Sequence, residues 1–346
     1  MVIIGCDFHS DFQQISLLDT DTGEVKELSL LHREPTRAFY SALPPGAVVG
    51  VEACGQTQWF EALLAELGHV LRIGDPSAIR AAMPRRQKTD RRDAEHIRVL
   101  LTENRFPAIW VPSPAERDVR QLIVHRHKRV QMRTAVKNQL HALAINQGLR
   151  LRWRLWTQAG RRQFEALPLS PYAALRRQEL FALLDAMDRD IAALDAAVLR
   201  EAQARPAAVR LMTHPGVGPV TALAFVLTLG PVERFARARQ VASYLGLIPA
   251  EHSSAGKPRL GHITKQGSPL LRFLLVEAAH IAARHEPELK RCYARLRHQH
   301  AAGVAKVAIA RKLAVRLYWM LRHASNYGQL RSGRTQASSS HSVVEP

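Results

Sequence analysis

Acidic residues are scarce in this 346-residue chain, which carries 30 Asp and Glu against 49 Lys and Arg, a net charge of +19. A surplus of that size attracts polyanions, nucleic acid first among them. Long apolar runs are missing too. No stretch approaches the ~18 residues of a membrane-crossing helix, and no lipidation motif is present, so an anionic membrane surface is the weaker partner. The three cysteines, Cys6, Cys54 and Cys292, lack metal-like spacing. They point to a reducing compartment and away from a zinc site or a disulfide framework. The N-terminus runs directly into a strand-like segment, which leaves no room for a signal peptide, and the expected location is the cytoplasm. With 47% hydrophobic residues there is material for two or three cores, hence for more than one domain.

Residues 1–112 read as α/β. Val2 to Cys6 is a short apolar strand, and two further strands flank the turn Asp21-Thr22-Gly23 as a hairpin. Pro35 opens a short helix, Pro44-Pro45-Gly46 breaks it, and Ala47 to Val51 gives a fourth strand. A helix from Trp59 to Leu67 stops at Gly68 before a fifth strand at Val70 to Ile73. Three strands followed by alternating helices and strands is the order of an RNase H-like domain. Residues 113–205 read as two long helices. Ser113-Pro114-Ala115-Glu116 is a capping box that starts the first. Leu180, Leu184, Met187, Ile191, Leu194 and Val198 alternate steps of four and three along the second. Such a seam suits one partner helix, so an antiparallel coiled coil that joins protomers is expected, with an ordinary helical bundle as the alternative. Residues 206–330 read as mostly helical, and the Ser-rich tail 331–346 as disordered.

The acids that exist stand where chemistry could use them. Asp7 follows the first strand, Glu52 follows the fourth, and Asp90 and Asp93 share one face if residues 90–93 are helical. If the two strands are parallel neighbours, Asp7 and Glu52 leave the sheet at one edge, and a docked helix adds the other two. Oxygen ligands of this kind suit Mg²⁺ or Mn²⁺, which can stabilise both the attacking and the leaving oxygen of a phosphoryl transfer. Each acid also has a plain role open to it: Asp7 in a turn, Glu52 at a helix start, Asp90 and Asp93 paired with Arg91 and Arg92. Cations lie along the first long helix as Arg117, Arg120, Arg126, Lys128, Arg129, Arg133 and Lys137, a face for nucleic-acid backbone or an ordinary solvated surface. Pro215-Gly216-Val217-Gly218 resembles a helix-hairpin-helix turn, where the amides at Gly216 and Gly218 could hold a phosphate. Ser253 and Ser254 lie among His252, Lys257, Arg259 and Lys265. Taken alone, two serines in a loop are most simply a loop.

Several motifs in one order resemble the DEDD-type transposases of bacterial insertion sequences, the group named after insertion sequences 110 and 1111. They are Ile4-Gly5-Cys6-Asp7, Val51-Glu52-Ala53-Cys54-Gly55, Lys88-Thr89-Asp90-Arg91-Arg92-Asp93-Ala94, Pro215-Gly216-Val217-Gly218, Gly246-Leu247-Ile248-Pro249 and Ile263-Thr264-Lys265-Gln266-Gly267, spanning roughly residues 1 to 325. The resemblance implies a RuvC-like N-terminal domain, a coiled coil and a C-terminal transposase domain. It implies metal-binding carboxylates at Asp7, Glu52, Asp90 and Asp93, and a serine that becomes joined to DNA, matched here by Ser254. It also implies a structured guide RNA (a bridge or seeker RNA) and a homo-oligomer, dimer or tetramer. Ser254-Ala255-Gly256 departs from the more usual Ser-Gly, which keeps Ser253 in play. The expectation is a DNA recombinase working through a phosphoserine. Its rivals are a Holliday-junction resolvase or RNase H-like nuclease using water, and a non-catalytic nucleic-acid-binding regulator.

Overall fold

The computed structural model describes residues 1–83, 89–149, 152–251 and 259–330, and the chain divides into two compact units, Met1–Val111 and Pro112–Pro346. The first is organised by a five-stranded sheet. β1 (Val2–Phe8), β2 (Phe12–Asp19) and β3 (Val25–Leu31) form an antiparallel meander. After α1 (Glu34–Ser41), β4 (Val48–Glu52) pairs parallel to the free side of β1; α2 (Gln58–Glu66) then leads to β5 (Val70–Gly74), parallel to β4. The sheet order is therefore β3-β2-β1-β4-β5. α3 (Pro76–Ala81) and α4 (Asp90–Thr102) complete the unit.

Successive side chains on a strand point to opposite faces, and that rule sorts this unit into two cores. Ile4, Cys6, Val49 and Val51 bury with Ile15, Tyr40, Phe60 and Leu64 on one face. There the buried Gln13 donates to Thr36 Oγ1 (2.9 Å) and accepts from Tyr40 Oη and Cys6 Sγ (3.2 Å each). Burial first, then the charge of Asp7, raises the Cys6 thiol well above its ordinary range, so it stays protonated and can donate. Ile3 points to the other face and packs with Ile97, Leu100 and Leu101 of α4. On that face Gly5 and Gly50 are register partners, and they clear a bed for the helix. A Cβ on Gly5 would collide with the Ala94 carbonyl and the Arg98 amide, and one on Gly50 would lie 2.7 Å from Leu101 Cδ1.

The second unit is helical apart from one short ribbon. α5 (Pro114–Asn146) begins at the expected capping box, with Ser113 and Glu116 satisfying each other's backbone amides. α6 (Gln158–Glu165) and then α7 (Pro171–Gln203) follow. α5 and α7 run antiparallel: Arg126 meets Asp195 (2.7 Å), Arg129 meets Asp190 (3.5 Å) and Arg133 meets Asp188 (2.9 Å), one numbering rising as the other falls. Leu184, Met187, Ile191 and Val198 of the anticipated seam are buried. Val136, Leu140, Leu155, Phe164 and Phe181 close the far end of this hairpin.

Both the hairpin and everything after it belong to the second unit, because Ile123, Val198 and Ala202 bury in the core of the helices that follow. Those are α8 (Pro206–Met212), α9 (Pro219–Leu229), α10 (Ala238–Tyr244), α11 (Pro269–His285), α12 (Pro287–Gln299) and α13 (Ala302–Arg322). An antiparallel ribbon of β6 (Pro249–Glu251) and β7 (Leu260–Ile263) precedes α11. The start of α12 is fixed by Glu286, which accepts from the Leu289 amide (2.7 Å) and from Arg316 of α13 (3.0 Å), both side chains being buried. Burial pushes the Glu286 carboxyl up, but the hydrogen bond and charge of Arg316 together with the amides of Leu289 and Glu288 outweigh it and hold the group below the usual range. His214, 1% exposed, has Nδ1 2.9 Å from the Pro215 carbonyl and its ring 4.4 Å from Tyr327.

Two stability measurements follow from this packing. Gly5→Ala puts a methyl group into backbone atoms of α4, so full-length Gly5→Ala should lose about 3 kcal/mol or more in urea unfolding of the first unit, whereas Gly55→Ala, in open space, should change little. Equal midpoints for the two variants would contradict the helix bed. Burial pushes His214 down to about 4 from an ordinary 6.5. As pH falls through that window the unfolded chain takes up the proton first, so stability present above about pH 6.5 is lost toward pH 4, by up to about 3 kcal/mol. His214→Gln should flatten this part of the pH–stability curve, and an unchanged slope would assign the loss to other groups.

Candidate functional site

Gly5 and Gly50 set the place of the site as well as the packing of the sheet. From Gly5 to Asp7 the strand advances about 6.6 Å. From Ala94, which lies over Gly5, back to Asp90 the helix retreats one turn, about 6 Å. The two carboxylates therefore arrive at the same level, at the C-terminal edge of β1. Asp7, Asp90 and His9 each bring a ligand atom to within 4.8 Å of the others. His9 Nε2 lies 3.3 Å from Asp7 Oδ2 and 3.4 Å from Asp90 Oδ2. Asp90 is half-exposed and Asp7 more sheltered.

Glu52 and Asp93 are not members of this close group, although each stands beside it along the chain. Cys6 is the register partner of Val51, so Asp7 and Glu52 are the next residues out on neighbouring parallel strands. Alternation puts Glu52 on the face of Val48 and Gly50, the face that carries α4. Asp93 lies in the first turn of α4 with its Oδ1 shielded from solvent. Thr89 caps that helix by accepting from the Arg92 amide (3.4 Å), and the positive end of the helix favours the acids of its first turn. Arg91 pairs with Glu27 of β3. The plain reading in which Arg91 neutralises Asp90 is replaced by one in which it ties the helix start to the meander.

His9 escaped the sequence reading. The signal available was Asp7-x-His9 at a strand end, the spacing that returns a side chain to the same face. Its setting is rigid. The His9 amide donates to the Phe12 carbonyl (3.0 Å), its carbonyl takes a hydrogen bond from His32 Nε2 (2.9 Å), and its ring stacks on Phe12 at 4.6 Å.

The cationic face of α5 is in large part turned to internal use. Arg126, Arg129 and Arg133 pair with aspartates of α7, Arg120 donates to the Leu227 carbonyl, and Lys137 lies 5.0 Å over the Trp156 ring. Burial lowers the Arg120 guanidinium from its ordinary range. Lys128 is exposed, and Arg117 is half-buried. The reading of this face as nucleic-acid contact or solvated surface did not include aspartates 188, 190 and 195 of α7, which are too distant in sequence to be seen as its counter-charges.

In the turn between α8 and α9, Gly216 has φ +86°, and a Cβ there would lie 2.7 Å from the Ala278 carbonyl of α11. That glycine is needed for packing. Gly218 caps α9 and has open space where a side chain would stand.

Two of the quoted motifs meet. The Thr264 amide donates to Ile248 O (2.9 Å) and the Lys265 amide to Gly246 O (3.3 Å), while Gly246 and Gly267 allow backbone to touch backbone. Arg272 donates to the Gln266 carbonyl and braces this platform. Arg259 and Lys265 are exposed on it. Ser253, Ser254 and Lys257 fall between β6 and β7 in the sequence and lie outside the described residues.

Residues 4–145 match a family model described as Transposase, of the DEDD type of IS110, and residues 208–294 match the Transposase IS116/IS110/IS902 family. The first span holds all four acids and the second holds the glycine turn and the serine segment. The chain is similar to a probable family 20 transposase of Pseudomonas aeruginosa, 31% identical over 84% of this chain and 88% of that one. It is also similar to the transposase for insertion sequence element IS1111A of Coxiella burnetii (28% identical, 82% and 78% covered) and to that for IS1328 of Yersinia enterocolitica (27%, 82% and 85%). Among the described residues no helix is long and apolar enough to cross a membrane. Likeness at this identity over most of both chains, with two family models in sequence, decides the matter: the chain belongs to the IS110 family of insertion-sequence transposases.

Proposed function

We propose that this transposase cuts and rejoins DNA through a covalent serine intermediate, with Asp7, Glu52, Asp90 and Asp93 serving a divalent cation and Ser254 serving as nucleophile. The observation that carries the reading is the approach of Asp7 and Asp90 at one sheet edge in a chain of net charge +19. Carboxylates exposed in so basic a chain would repel a phosphodiester unless a cation lay between them. The donor set fits Mg²⁺ or Mn²⁺: hard oxygens at the start of a helix, with room at a half-exposed edge. Such an ion supplies Lewis-acid stabilisation of charge on the phosphoryl oxygens. The sheet order β3-β2-β1-β4-β5 supports an RNase H-like, RuvC-like assignment for the first unit.

The chain's own groups divide the remaining work. The Ser254 hydroxyl, stripped of its proton, forms an O–P bond as the bond from phosphorus to a deoxyribose oxygen breaks, and that oxygen leaves with a proton. The number of phosphoester bonds is unchanged, so the reverse attack by another strand's hydroxyl rejoins DNA without ATP. Arg259, Lys265 and Lys257 neutralise the phosphate near the serine, and Gly218 offers amides to a backbone phosphate. Arg117 and Lys128 serve the nucleic-acid surface of α5, beside the cations already engaged within the unit. Selection of DNA by a structured guide RNA, and assembly into a dimer or tetramer through the α5–α7 hairpin as a coiled coil, belong to the same reading by family resemblance.

With the element's junction DNA and copurified RNA, wild-type protein should give a protease-sensitive protein–DNA adduct. Ser254→Ala should abolish it while Ser253→Ala retains it, and Asp7→Asn should slow its formation at least ~100-fold with nucleic-acid binding intact. An adduct that persists in the Ser253→Ala/Ser254→Ala double variant would overturn the serine mechanism. Cleavage without any adduct would establish a water-using nuclease in its place.

A further inference from the structure

The metal reading above is built on carboxylates alone, yet the tightest group at the edge contains an imidazole. His9 Nε2 is shielded from solvent, lies 3.3 and 3.4 Å from one oxygen each of Asp7 and Asp90, and makes no hydrogen bond among the described residues. An imidazolium neutralising two carboxylates would be expected to point a hydrogen bond at one of them. A nitrogen held equally far from both, aimed between them, instead has the arrangement of a ligand set around a common centre. Ligands at right angles on an ion with bonds of about 2.2 Å lie about 3 Å apart, close to the spacing here. The ring is not free to swing away. Phe12 stacks on it, and both backbone groups of His9 are hydrogen-bonded, to Phe12 and to His32.

The chemistry of the ligand matters. Mg²⁺ takes oxygen almost to the exclusion of nitrogen, whereas imidazole suits transition ions, and affinity for a nitrogen-containing site rises along that series from Mn²⁺ onward. We infer that His9 is a direct ligand of the divalent cation held by Asp7 and Asp90, and that it biases this centre toward Mn²⁺ over Mg²⁺. The inference rests on the metal reading of the acidic edge and adds to it a residue and an ion preference. His9 would hold the ion together with Asp7 and Asp90, of which Asp90 is the most exposed. Phe8, between the two ligands in sequence, belongs to the opposite core and packs against Phe60 (5.4 Å) and Trp59 (5.9 Å), so the Asp-x-His spacing is locked by burial of the residue it skips.

The test is direct metal binding by the full-length protein without DNA, read by Mn²⁺ electron paramagnetic resonance. Wild type loaded with Mn²⁺ should show nitrogen modulation from a bound imidazole, and His9→Gln should lose it. His9→Gln should also weaken Mn²⁺ binding roughly 10- to 100-fold while changing Mg²⁺ competition by less than about threefold. The wild-type spectrum needs no variant, so a folding defect in the substitution cannot hide the answer. Absence of nitrogen modulation in Mn²⁺-loaded wild type would overturn the inference, as would equal or tighter Mn²⁺ binding by His9→Gln, which would make His9 a counter-ion displaced by the metal. Asp7→Asn separates the two levels. If it abolishes Mn²⁺ binding while wild type shows no nitrogen signal, the carboxylate centre stands and only the His9 ligand fails; if it leaves binding untouched, the metal reading itself fails.

Discussion

The close seating of one helix on two glycines governs what this molecule can do. α4 lies on β1 and β4 with no side chain between its backbone and Gly5, and its level along the sheet is set by that contact. A strand step is a little over twice a helix step, so two residues of β1 beyond Gly5 match four residues of α4 before Ala94. That arithmetic, more than any attraction between the groups themselves, delivers Asp7 and Asp90 to one another. Packing energy from Ile3, Ile97, Leu100 and Leu101 offsets the electrostatic cost of holding two acids together at a sheltered edge.

The second unit handles charge differently. Its basic helix faces an acidic one, and three arginine–aspartate pairs fix the register of two helices of 33 residues each. Each partly exposed pair contributes modestly, about 0.2–1 kcal/mol, so their value lies in choosing one antiparallel alignment over its neighbours. The buried Arg316–Glu286 pair is of another kind: it joins the start of α12 to α13 where water is excluded, and breaking it from one side would leave a charge stranded. Arg126, Arg129, Arg133 and Arg316 thus have a structural use, and because each pairs with an acid already subtracted in the net charge, the surplus itself is carried by other residues.

The sheet meander, the β4 and β5 strands and the capped start of α5 were legible in the sequence because each rests on a local rule: apolar alternation, a glycine or proline break, a Ser-x-x-Glu box. Asp7 and Asp90 were legible for the same reason, as acids at the ends of recognisable elements. What was not legible depended on contacts between distant segments. His9 gains its meaning only once α4 sets Asp90 beside it, the arginines of α5 gain theirs only against α7, and Gly216 shows a packing role only once α11 is seen pressed against it. The β6–β7 ribbon was missed because Pro249–Glu251 is too short to carry an alternation signal.

The most direct measurement of the central claim is the position of a bound ion. Crystals of the full-length protein soaked in Mn²⁺ and recorded at the manganese edge should give an anomalous peak in contact with the carboxylates of both Asp7 and Asp90, at the C-terminal end of β1. A peak bound elsewhere, or well-ordered Asp7 and Asp90 side chains with no peak between them at saturating Mn²⁺, would contradict the account.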